Sequence, residues 1–143
     1  KSIIEEWMAG EYKMETVVVE AIDEDGVKSL MTLDADENYI LKAHGNAYAC
    51  NEVGCIINFD ADFSTSDATT WVDGVAPPYD TEGPNLLDLM VDNTFVNWGA
   101  YNAEHHYILP YAGTGNVLDL KVFDLYYPNN SGDLSVDIFV DLW

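Results

Sequence analysis

Short apolar runs, each bounded by turn-forming residues, recur along most of the chain. The run at 39–47 alternates, with Tyr39, Leu41 and Ala43 on one face and polar side chains between them, as in a half-buried strand. Acidic clusters with Gly or Asn follow several of the runs and are typical of turns. The predicted strands are 16–21, 27–33, 39–47, 55–63, 86–91, 107–109, 117–123 and 134–140. About eight short strands predict an all-β fold, an antiparallel β-sandwich.

The first fifteen residues differ from this pattern. Ile3, Ile4, Trp7 and Met8 have helix-like spacing, which fits a short helix, a packing arm or the stub of a linker. We therefore expect an N-terminal arm at 1–15 and a single β-sandwich domain at 16–143. An apolar arm of this kind also predicts possible self-association.

The charge of the chain restricts its partners. Its 143 residues include 26 Asp or Glu and 5 Lys, with no Arg, giving a formal net charge of −21. Nucleic acid is bound through Lys and Arg, so it is excluded, and an anionic membrane surface is disfavoured. No apolar run reaches the ~18 residues of a membrane-spanning helix. We expect cations, or neutral and cationic molecules, as partners.

The two cysteines, Cys50 and Cys55, are close in the sequence. Two thiols make an incomplete zinc site, so the alternatives are a small-loop disulfide and free thiols. A disulfide requires an oxidising compartment, and the acidity also suits the outside of a cell. Lys1 is not an initiator methionine, which is expected of a mature product or an excised domain. We expect an extracellular or cell-surface location.

Residues 64–84 form a long stretch rich in Ser, Thr, Asp, Gly and Pro. A long irregular segment in a small domain is usually functional. It carries Trp71 and Tyr79, whose faces can stack on a sugar ring. The alternative is that these two rings only pin the loop to the sandwich.

The most informative segment is 122–132, between two predicted strands. Asp124, Asn129 and Asn130 bring three oxygen-bearing side chains into seven residues, and hard cations such as Ca²⁺ take oxygen ligands of these types. Two other interpretations of this segment compete with a calcium site. The same residue types form polar hairpin loops, and Asn129-Asn130-Ser131 fits a glycosylation sequon.

This segment resembles the calcium loop of the PA-I galactophilic lectin family and its bacterial β-sandwich relatives. Asp124, Asn129, Asn130, Ser131 and Gly132 match the family pattern, in which an Asp, an Asn pair and Ser-Gly precede the final strand. Weaker matches to the family's strands lie at 26–30, 39–48, 86–91 and 134–138. The resemblance implies a jelly-roll or galactose-binding-domain-like sandwich.

The resemblance also implies a ligand set. Calcium would be held by the side chains of Asp124, Asn129 and Asn130, with backbone carbonyls near Tyr126 and near Tyr48. In the family, two hydroxyls of a galactose-type sugar fill the remaining calcium positions, which makes neutral glycans the implied partners.

The implied sugar contacts lie in two places. Asp124, Leu125 and Asn129 would meet the sugar beside the ion. The family's His-Pro-x-Gln contacts have no counterpart in a chain without Gln, and the nearest match is 77–80, ending in Asp80.

Catalytic motifs are missing from the sequence. It has no Gly-x-Ser-x-Gly elbow, His-Glu-x-x-His or P-loop, so we expect no enzyme. His105 and His106 are adjacent and would point to opposite faces of a strand, which makes them poor metal ligands. The sequence thus favours a calcium-dependent, lectin-like carbohydrate-binding module of an adhesin or a secreted protein. The alternatives are a structural sandwich subunit or repeat that calcium only rigidifies, and, less favoured, a glycosidase.

Overall fold

A computed structural model describes residues 11–53, 55–65, 67, 69–73, 87–124 and 127–141. The fold is an all-β antiparallel sandwich, as the alternating sequence pattern predicts. The described residues form these strands: β1 Glu11–Glu20, β2 Val27–Thr32, β3 Asn38–His44, β4 Ala47–Glu52, β5 Cys55–Phe59, β6 Phe63–Thr65, β7 Val72–Asp73, β8 Asp88–Val91, β9 His106–Ala112, β10 Val117–Phe123 and β11 Ser131–Asp141.

Two sheets make up the sandwich. The larger has eight strands in the order β7-β6-β5-β4-β11-β3-β9, with β1 also paired to β11, and the smaller has the order β2-β10-β8. β11 lies at the centre of the large sheet. It pairs with β1 along one edge, and with β3 and then β4 along the other.

The hydrophobic core lies between the sheets. Leu118, Leu120 and Val122 of β10 are fully buried at every second position, as the period-2 alternation of a strand requires. The alternating residues of β11 do the same, with Val136 and Ile138 completely buried. Each such side chain contributes roughly 1.5–3 kcal/mol when it is fully buried. The core therefore fixes the positions of the β10 and β11 ends, between which the 124–130 loop runs.

Several strand boundaries differ from the sequence prediction, and two of these differences concern strands that pair with β11. β1 begins at Glu11, so residues 11–15 belong to the sheet and not to the predicted arm. The predicted strand 39–47 is divided at Gly45, whose φ of 101° turns the chain from β3 into a separate β4. Only Gly adopts this angle without strain. Because of this bend, β3 and then β4 pair with the same side of β11.

The Cys50–Cys55 pair forms a disulfide that ties β4 to β5 near the end of their hairpin. This confirms the disulfide alternative. The pairing is local, with a sequence separation of 5 residues.

Within the described ranges, the structure contains no helix long and apolar enough to cross a membrane. The arm residues 1–10 lie outside the described residues.

Candidate functional site

The 124–130 loop leaves the small sheet at Asp124 and enters the large sheet at Asn130. Tyr127 organises it: its hydroxyl donates to the carbonyl oxygen of Val122 at 2.7 Å and accepts from the Asp124 N–H at 3.1 Å. Its own carbonyl oxygen accepts from the Asn130 N–H at 2.9 Å. Burial raises the pKa of the Tyr127 phenol, and the negative charge of Asp124 adds to this shift. The partly buried Tyr127 therefore connects the described ends of the loop, at Asp124 and Asn130.

Oxygen atoms of the three predicted ligand residues are buried in this loop. Oδ1 of Asn129 and Oδ1 of Asn130 have no hydrogen-bond partner among the described residues, and Oδ2 of Asp124 is likewise inaccessible to water. Asn130 donates through Nδ2 to the carbonyl oxygen of Ala21 at 2.8 Å. This hydrogen bond identifies Oδ1 as the side-chain atom that does not face Ala21. A buried polar atom left without a partner costs about 1–3 kcal/mol, which applies here to the two amide oxygens.

Strand β4 lies beside this loop. Tyr48 pairs with Ser131 and Ala47 with Gly132, which places the backbone of Tyr48 next to the start of β11. Gly132 has a φ of 81°, and a Cβ there would lie 3.4 Å from Ala47. The neighbouring loop positions Leu125 and Tyr126, both predicted to contribute, lie outside the described residues.

The donor set of the loop suits a hard cation. Ca²⁺ takes six to eight oxygen ligands from carboxylates, amide carbonyls, backbone carbonyls and water. Asp124 offers a carboxylate, and Asn129 and Asn130 offer neutral amide oxygens. The described residues contain no group of three or more His, Cys, Asp or Glu able to hold a metal ion. Asn, which supplies two of the three side chains here, is not one of those residue types.

The predicted aromatic site is only partly described. Trp71 stacks on Tyr101, with ring centroids 5.3 Å apart and an interplanar angle of 21°, and its ring also lies 4.9 Å from that of His105. The described contacts of Trp71 thus lie within this aromatic group. Tyr79 and Asp80 lie outside the described residues.

A second buried polar cluster, centred on Asp60, was not predicted. Asp60 is fully buried, and its Oδ1 accepts from the N–H groups of Asp62 at 3.0 Å and Phe63 at 2.8 Å. Its Oδ2 contacts the Tyr107 hydroxyl at 2.6 Å and Nδ1 of His105 at 2.7 Å. Among 26 acidic residues, the one sequence signal for Asp60 was its place after a run of apolar residues.

The outer face of β3, β9 and β11 carries the other two histidines. His44 and His106 are direct cross-strand neighbours with ring centroids 5.4 Å apart. Asp137 lies 3.3 Å from Nε2 of His44, and it also accepts from the Thr16 hydroxyl at 2.6 Å and meets the Lys13 ammonium at 3.6 Å. An open cleft of about 450 Å³ lies over this face.

No family model and no curated protein matches this chain. Among solved structures, it is similar to the N-terminal domain of EclA, described as a PllA-like lectin. The match has 16% sequence identity and a TM-score of 0.44, and covers 90% of this chain and 97% of that one. A similarity at this level carries no functional assignment, and the resemblance of the 124–132 segment to the PA-I family stays a prediction.

Proposed function

We propose that this protein is a calcium-dependent, lectin-like carbohydrate-binding module of a surface or secreted protein. Calcium is held by the side chains of Asp124, Asn129 and Asn130, with backbone carbonyls of the loop and of Tyr48 completing the site. The module binds its ligand and does not transform it.

One observation carries the proposal. The two amide oxygens of the Asn129-Asn130 pair are buried and have no hydrogen-bond partner among the described residues, and a buried carboxylate oxygen of Asp124 belongs to the same short loop. A plain hairpin loop would turn the two amide oxygens to water or pair them with backbone N–H groups. Two such amide oxygens in the same loop as a carboxylate instead suit a bound cation.

Sugar binding follows from the chemistry of such an ion. The protein donors of the loop are fewer than the six to eight oxygens that calcium takes, so water fills the other positions. Two adjacent hydroxyls of a sugar offer neutral oxygens at a spacing that replaces two waters. The net charge of −21 attracts divalent cations and does not repel neutral glycans. Galactose-type sugars are the first candidates.

The disulfide supports the proposed location. Disulfides persist in oxidising compartments such as the cell exterior, so Cys50–Cys55 suits a surface or secreted protein.

A structural subunit that calcium only rigidifies is the second candidate. Large apolar side chains are exposed on β2 and on the β4–β5 hairpin, where Leu30 is 91% exposed and Val53 is fully exposed. Exposed apolar groups of this size suit contact with another protein surface. In this case, calcium would raise the stability without a glycan ever binding.

Two measurements separate these candidates. Thermal unfolding in calcium and in chelator tests the ion, and a glycan array probed in the same two conditions tests the sugar. Asp124→Asn removes the carboxylate charge at nearly constant size, and Asp36→Asn, on an exposed turn residue, is the matched control. We expect Asp124→Asn alone to abolish both the calcium shift and the array signal. A calcium shift without any glycan signal supports the structural candidate, and no calcium shift refutes the site.

A further inference from the structure

Three partly exposed rings form a surface group next to the buried Asp60 carboxylate. They belong to Trp71, Tyr101 and His105, whose ring centroids lie 4.9–5.8 Å apart. We propose that these three residues form a second binding site, independent of calcium, for the ring of a neutral sugar. The site shares no residue with the 124–130 loop, so it holds or fails separately from the calcium proposal.

His105 is oriented by its partner. Its Nδ1 lies 2.7 Å from Oδ2 of Asp60, so this ring nitrogen is engaged with the buried carboxylate. Nε2 is the other ring nitrogen, and it is the atom with which a ligand hydroxyl can form a hydrogen bond.

The backbone holds His105 in an unusual conformation. Its φ is 59°, in the left-handed region that is uncommon for a residue with a side chain. Asn102 secures this turn: its carbonyl oxygen accepts from the His105 N–H at 3.0 Å, and its side chain bonds both the N–H and the carbonyl oxygen of His106. Backbone strain kept by such contacts is concentrated at ligand clamps and active sites.

The three rings are more exposed to solvent than the residues of a hydrophobic core. Tyr101 is 36% exposed, the His105 side chain 16%, and Trp71 is half-buried. Tyr107 and His105 contact the buried Asp60 carboxylate directly, whereas Trp71 and Tyr101 pack against the His105 ring and keep part of their own surface exposed. The group therefore presents aromatic surface to solvent.

The chemistry of the group defines the ligand. Aromatic faces attract the C–H face of a sugar ring, and a single fixed ring nitrogen beside them orients one hydroxyl, as in sites that are mostly apolar with few polar groups. The Asp60 carboxylate next to the rings is buried and inaccessible to a ligand. A neutral pyranose satisfies both requirements, whereas a phosphorylated ligand is repelled by the net charge of −21.

The test is a tryptophan fluorescence titration of the whole chain in chelator, with methyl β-D-glucopyranoside and methyl β-D-galactopyranoside as probes. We expect a saturable change with at least one of them. Trp71→Ala and His105→Ala should each weaken binding by roughly tenfold, because each removes a ring contact, and His105→Ala also removes the free ring nitrogen. Asp36→Asn, on an exposed turn outside the site, is the control and should bind as the parent does.

Further variants keep the result interpretable. If Trp71→Ala fails to fold by thermal unfolding, Trp71→Phe takes its place and should show a smaller loss. Asp124→Asn should retain the chelator-resistant binding, which separates this site from the calcium loop. No saturable change with either glycoside, or unchanged binding in both the Trp71 and His105 variants, overturns the proposal.

Discussion

Removing the Asn129 side chain should change the stability in opposite directions with and without calcium. In chelator, Asn129→Ala removes a buried oxygen that has no hydrogen-bond partner among the described residues, and such an atom costs about 1–3 kcal/mol. We therefore expect the free energy of unfolding to stay the same or to rise by about 1 kcal/mol, after some loss of packing.

In calcium, the same variant loses a ligand. At a concentration one hundred times the dissociation constant, a bound ion stabilises the folded state by about 2.7 kcal/mol. For a chain of this size, that raises the unfolding midpoint of the parent by about 10 °C. If the variant no longer binds, it lacks this stabilisation. The effect of Asn129→Ala should thus differ by about 2.7 kcal/mol between the two conditions, because its effect on the ion-free loop is the same in both.

Denaturant unfolding of the parent and the variant, each in calcium and in chelator, measures all four free energies. Asn38→Ala, at an exposed Asn at the start of β3, is the matched control and should have the same small effect in both conditions. If Asn129→Ala destabilises the protein equally in calcium and chelator, Asn129 is a structural loop residue and the ligand assignment is wrong.

Three further predictions concern the scaffold. Burial raises the pKa of Tyr111 from 10.0 to about 12. The contribution of the protonated Tyr111 to the stability is therefore complete below pH 10 and is lost as the pH rises through 12. Tyr111→Phe should flatten this part of a pH–stability curve. Gly113→Ala would place a Cβ 1.9 Å from the Asp34 carbonyl oxygen, and urea unfolding should show a loss of about 1–3 kcal/mol or more. The Cys50→Ala/Cys55→Ala double variant should lose only about 2 kcal/mol, because the closed loop is short; a much larger loss in calorimetry would contradict the loop-entropy reasoning.

The sequence predicted a strand correctly where apolar and polar positions alternate without interruption. β10 occupies the predicted 117–123, since each buried position alternates with a partly exposed one. The prediction fails where a single residue bends the chain. The predicted strand 55–63 ends at Phe59 because the Asp60 side chain bonds the N–H groups of the next two residues, 62 and 63, and forms a turn.

The two candidate sites differ in how far the sequence reveals them. The calcium-loop side chains lie within seven residues, so their composition alone suggested the chemistry. Asp60 and His105 are 45 residues apart, and only the pairing of sheets around them brings the two together. No local pattern distinguishes that Asp from the others of a chain with 26 acidic residues.

The position of the 124–130 loop gives the calcium proposal a consequence for the whole fold. Asp124 ends a strand of the small sheet, Asn130 precedes the central strand of the large sheet, and its Nδ2 binds the carbonyl oxygen of Ala21 just beyond β1. An ion held by both residues joins the two layers of the sandwich, so its stabilisation should be global and not confined to the loop. Hydrogen exchange should then show equal calcium-dependent slowing for amides in β10 and β11. Slowing confined to residues next to the loop would instead mean that the ion orders only a surface segment.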